Sequence, residues 1–251
     1  MKHPVRYAAL TMLALGGVGL VLRRLLYHLA QDEKNLLPLG HPLETLLWVL
    51  TAAAAAAVVV FCLRMDKNLT LRSGGGLEQA VGHLMMGLGM VLTLIWNLPK
   101  MEGGLGFAWE VLGKLAPVML AAAGIASCRG KQPHFLLHLP TCLFLMIHMV
   151  NQYRTWSAEP QPQAYVFALL GCVGLTLFAY YCTAFDVAMG NSRMYVGAGL
   201  ASLYLCTVNL ARTEYPLLYL GGIAWVATDL WSAAFLPEPR EPERTAQDDP
   251  A

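Results

Sequence analysis

The chain is short of charge. Asp, Glu, Lys and Arg make up 13% of its 251 residues, apolar types make up 57%, and the mean hydropathy is +0.50. A water-soluble domain has roughly a quarter charged residues, so a single aqueous core is excluded. Basic runs are missing as well. With a net charge of +1 and no contiguous stretch of Lys and Arg, nothing can track a phosphate backbone, and nucleic acid is excluded as a partner. The six cysteines, Cys62, Cys128, Cys142, Cys172, Cys182 and Cys206, form no C-x-x-C pair, so neither a zinc site nor a redox motif is expected. They read as small apolar core residues. Enzyme signatures are absent: there is no H-E-x-x-H, no G-x-S-x-G and no aspartate-rich diphosphate motif. No glycine pattern follows a strand, so no phosphate cradle is expected. The balance is against an enzyme, and no cofactor or metal is implied.

What is present is apolar length. The charges are clustered between apolar runs of about 18 to 24 residues, long enough to cross a hydrocarbon core roughly 30 Å thick. Period-two alternation is absent, which excludes barrel strands. The fold class is therefore all-α, a polytopic transmembrane bundle of about eight helices, with spans near 5–27, 43–64, 77–98, 105–127, 134–153, 163–186, 194–212 and 215–236. The first run is followed directly by Arg23 and Arg24 and not by a small-residue cleavage site, so it reads as a retained span. Residues 1–236 form one membrane domain, and the proline-rich charged tail 237–251 is expected to be disordered. Lys and Arg fall ten on the side of both termini and six on the other, which places the termini in the cytoplasm. Laying the first four spans over the last four gives one further reading, a weak four-plus-four repeat. Glycine clusters such as GHLMMGLGM and GCVG read as close helix packing.

Ionisable groups inside spans each require an account, at about 2.5 to 3.5 kcal/mol near a helix centre. They fall into two layers. The outer layer holds Asn97, Glu110, Lys114, His148, Asn151, Arg154, Asn209 and Arg212, with Trp156 nearby. His148, Asn151 and Gln152 share a helical face, and Arg154 with Arg212 suits an anionic or amphipathic ligand, since guanidinium forks grip carboxylates. The plainer reading has both arginines reaching to headgroups. Glu110 and Lys114, spaced i and i+4, neutralise one another, or Glu110 pairs across the bundle and frees Lys114. The inner layer holds His83, His138, Asp186 and Asp229. Asp229 has no partner on its own helix, so it must find His83, His138 or backbone and hydroxyl donors on another helix, or remain protonated, and Asp229, His83 and His138 are the candidates for a proton or ion site. His138, two residues before Pro140, also suits a carbonyl freed by the proline.

The segment WSAEPQ (156–161) with Tyr165, the segment AYYCTAF (179–185) and the loop DEKNLLPLGHP (32–42) resemble a group of multispanning membrane proteins of anaerobic Gram-positive bacteria for which no activity is established. The resemblance implies a bacterial plasma membrane and carries no chemistry. Function therefore stays between three readings. The first is a membrane protein that binds or transports a small anionic or amphipathic solute through an outward-facing vestibule. The second is a non-catalytic subunit, sensor or scaffold with a membrane protein partner or a second copy, and the third is an intramembrane lipid-modifying enzyme.

Overall fold

The computed structural model describes residues 3–30, 41–65, 69–72, 76–97, 104–131, 133–156, 165–187 and 189–237. They form eight helices: α1 (His3–Ala30), α2 (Pro42–Arg64), α3 (Leu77–Asn97), α4 (Gly104–Cys128), α5 (Leu139–Trp156), α6 (Val166–Asp186), α7 (Ser192–Asn209) and α8 (Pro216–Ser232). Six of them, α1 to α6, have segments long and apolar enough to cross a membrane. The chain is an integral membrane protein. With no water in the hydrocarbon, each backbone must satisfy itself, and a helix does so within one segment. Local chemistry sets the ends. Pro42 and Pro216 open α2 and α8, where a missing N–H costs nothing. The Asn191 side chain accepts from the backbone N–H groups of Arg193 and Met194 to start α7.

Helices α3 to α8 pack as a closed ring in chain order, the last against the first. Helix α1 lies outside the ring along α7, touching α8, and α2 leans on α1 and α7. Because successive helices reverse direction, the ends of α2, α4, α6 and α8 and the starts of the odd-numbered helices share one end of the bundle. We call it the terminal end and its opposite the distal end. The shortest helices are the innermost. Helix α7 buries more than half its residues, whereas α2 buries Leu47, Ala54 and Val58 and turns the rest outward, as an apolar helix facing lipid does.

Small residues bring the ring together. A Cβ at Gly89 of α3 would lie 2.5 Å from the Leu217 carbonyl oxygen, and one at Gly221 of α8 would lie 2.7 Å from that of Met85. Gly82 similarly abuts Thr228. Close backbone approach replaces the hydrophobic drive that lipid cannot supply. Gly171 and Gly174 meet Tyr219 and Ser202, so the glycine clusters do pack helices.

The differences from the sequence reading are local. Helix α5 begins at Leu139, preceded by a 3-10 turn over Phe135–Leu137. Pro140 belongs in a first turn, where no helical partner is asked of its nitrogen. Helix α8 stops at Ser232, and Ala234–Pro237 (β2) pairs antiparallel with Leu69–Arg72 (β1), a ribbon that ties the α2–α3 connection to the exit of α8. The stretch expected to be disordered, 237–251, lies outside the described residues apart from Pro237, which ends β2. The two halves pack differently: α6 runs along α7, whereas α2, its counterpart under a four-plus-four pairing, packs on α1 and α7.

Candidate functional site

At the terminal end the ring encloses a hydrogen-bonded chain of ionisable side chains. Asp186, the last residue of α6, places Oδ2 2.6 Å from Nδ1 of His138 at the threshold of α5. His138 Nε2 lies 3.1 Å from His83 Nε2 on α3, and His83 Nδ1 lies 2.7 Å from the carbonyl oxygen of Gln79 one turn earlier. Asp229 of α8 brings Oδ1 to 3.9 Å from His83 Nδ1, and Gln79 hydrogen-bonds its carboxyl. Four helices thus contribute to one cluster, with His83 fully buried and Asp229 3% exposed. The Trp225 ring lies against both imidazoles, and Cys182 and Tyr195 border the carboxylates.

The chemistry follows from counting hydrogens. The Gln79 carbonyl only accepts, so His83 Nδ1 must carry a hydrogen. The Nε2 to Nε2 contact needs one of its own, and so does the contact between His138 and Asp186. Three contacts need three hydrogens, and two neutral imidazoles bring two. The chain is complete only with one further proton, carried either by an imidazole facing the Asp186 carboxylate or by the Asp186 carboxyl itself. That proton belongs to the chain as a unit and not to one ring. Asp229 supplies a second carboxyl at the inner end. Among the described residues no group of three or more His, Cys, Asp or Glu is arranged to hold a metal ion; the facing Nε2 atoms and the outlying Asp186 do not converge on a point. His138 does not serve a carbonyl freed by Pro140, because both its ring nitrogens are engaged by His83 and Asp186.

The distal end is built differently. His148 of α5 is 1% exposed and sits among the rings of Trp109, Phe144 and Tyr215. Gln152, one turn on, is also buried and hydrogen-bonds the Tyr215 hydroxyl. His148 Nε2, Trp109 Nε1 and Gln152 Oε1 have no hydrogen-bond partner among the described residues. Asn209, at the end of α7, accepts at Oδ1 from Arg23 Nη1 at 3.0 Å. Arg23 itself is 1% exposed and lies over the Phe167 ring.

The expected outer layer is therefore dispersed. Arg154 is exposed at the end of α5 and Asn151 is half-buried. Arg212 is exposed and stacks over Tyr27 of α1. Lys114 bonds Glu110 at 2.5 Å, with both side chains largely outside the core. The Trp156 side chain lies outside what is described. Sequence reasoning missed Arg23 as a buried group, although adjacent arginines point about 100° apart on a helix, so one of the pair had to face inward. It also missed Gln79, whose carbonyl fixes the His83 tautomer, and Tyr215. No protein-family model, curated protein or solved structure matches the chain.

Proposed function

We propose that this membrane protein moves a small amphipathic solute across the bilayer with protons as the coupling ion, and that the His83, His138 and Asp186 chain holds them. The observation that carries the reading is the buried chain with its need for one proton beyond neutral imidazoles. A polar network that only fixed packing would be served by amides and hydroxyls, whereas ionisable groups within spans each cost about 2.5 kcal/mol or more. The chain also leads inward: Asp186 and His138 remain slightly accessible, at 8% and 5%, and His83 is at 0%. Helices α3 and α8 run from this cluster to the distal end and are the most closely joined pair in the ring, so a change at either end is felt by both. The ten-to-six bias of Lys and Arg supports a plasma membrane orientation with the terminal end in the cytoplasm.

The test is proton binding and flux. Purified protein in weakly buffered detergent, stepped across the histidine range, takes up fewer protons as Asp186→Asn or His138→Gln than as wild type. Proton flux into proteoliposomes falls at least about tenfold in both, equivalent to about 1.4 kcal/mol of barrier. Unchanged uptake and flux in variants that insert normally would sink the proposal. Those variants losing a co-purifying membrane protein would also overturn it, in favour of a scaffold.

A further inference from the structure

A cavity of about 330 Å³ opens at the distal end between the close of α3 and the turn from α7 into α8. Its polar and aromatic lining is Thr93, Trp96, Thr213, Glu214 and Tyr215. The one formal charge among its lining residues is the Glu214 carboxylate. Neither Arg154 nor Arg212 is among them, and Arg212 is turned to Tyr27. The charge expected of a ligand is therefore positive. Aromatic rings beside a carboxylate are the surroundings an organic cation favours, the ring faces attracting it and the carboxylate neutralising it.

A second, independent observation points to the same chemistry. Tyr215 lines the cavity on one side and meets His148 edge-on, at 4.8 Å between ring centres, on the other. Behind it lie His148 Nε2 and Gln152 Oε1, both on buried side chains and both without a hydrogen-bond partner among the described residues. An amide oxygen can only accept, and an imidazole nitrogen accepts or donates according to its tautomer. Buried polar atoms in proteins are nearly always satisfied, so the Gln152 acceptor, left open against a tyrosine that lines the cavity, is matched by a ligand that brings donors.

We propose that this cavity is the solute site and that it takes a small amphipathic organic cation bearing N–H donors. The ammonium meets Glu214 and the rings of Trp96 and Tyr215, and rotation of Tyr215 admits it to Gln152 and His148. This rests on the transport reading for its role, but the binding stands apart from it. Exchange of such a cation against protons held at the terminal end would keep the charge carried in each direction balanced.

The test uses three probes of nearly one shape: phenethylammonium, 2-phenylethanol and 3-phenylpropanoate. Binding is measured by calorimetry on the full-length protein in detergent, with no proton gradient. Phenethylammonium binds, the alcohol binds at least tenfold more weakly, and the propanoate does not bind. Glu214→Gln, an exposed position that leaves folding intact, weakens phenethylammonium binding tenfold or more, and Gln152→Leu weakens it several-fold. Arg154→Ala and Arg212→Ala leave it unchanged. Preference for the propanoate, lost in the arginine variants, would overturn the inference in favour of an anion site. Equal binding of amine and alcohol with no effect of Glu214→Gln would overturn it in favour of simple partitioning. Asp186→Asn separates the two proposals: it leaves probe binding intact whether or not proton uptake is lost.

Discussion

The two ends of the ring differ in how far their buried polar side chains are linked. At the terminal end, His83, His138 and Asp186 bond to one another in a continuous chain, with Asp229 beside it keeping Oδ1 without a hydrogen-bond partner among the described residues. At the distal end the polar side chains meet at most in pairs, Arg23 with Asn209 and Gln152 with Tyr215, and Trp109, His148 and Gln152 each keep an atom without a hydrogen-bond partner among the described residues. The proposed proton site rests on the closed chain of titratable groups. The proposed solute site rests on the cavity and the open atoms behind Tyr215. The core between them is packed with Met86, Met90, Phe144, Leu175 and Phe178, all fully buried, so any coupling between the two proposed sites would run through these packed helices.

That contrast can be broken outright by parting α3 from α8. Gly221→Leu puts side-chain atoms where a Cβ already lies 2.7 Å from the Met85 carbonyl oxygen. Forced overpacking costs about 1 to 3 kcal/mol or more, so the unfolding temperature in detergent should drop and both proton uptake and probe binding should disappear. A smaller and one-sided effect is expected at Arg23. Replacing it with Leu leaves Asn209 Oδ1 buried without its donor, a loss of about 1 to 3 kcal/mol, seen as reduced thermal stability with proton uptake at the terminal end unaltered. The smallest effect belongs to Lys114→Ala. An exposed i,i+4 pair contributes about 0.3 to 0.5 kcal/mol, and neither end should register its removal. A strong effect there on probe binding would mean that the distal contrast has been drawn around the wrong residues.

Helices α1 to α6 were legible because a helix that crosses the membrane must be long and apolar, and that requirement writes itself into local composition; α7 and α8, of 18 and 17 residues, do not meet it and were legible only as apolar runs between turn residues. Their ends were less so. The start of α5 depends on Pro140, and the stop of α8 depends on pairing with a strand more than 150 residues earlier, which no local pattern announces. The inner layer was legible as a layer: His83, His138, Asp186 and Asp229 stand at equivalent depths. Which of them bond was not, because helix rotation is set by glycine contacts such as Gly82 with Thr228. The outer layer failed as a group for the same reason. Arg212 and Asn209, three residues apart on α7 and its end, turn to different partners, Tyr27 and Arg23. The glutamate at the cavity, Glu214, lay in a short turn whose composition resembles any other.

The ring is sealed by its last member. During synthesis α3 leaves the translocation machinery long before α8 exists, and until Pro216–Ser232 arrives, its glycine face has only lipid to touch and His83 has no Asp229 beside it. The nascent protein is thus an open arc whose ionisable cluster is completed by the final helix, and a chain cut short before Pro216 would display to membrane quality control the polar, small-residue surface that the finished molecule hides.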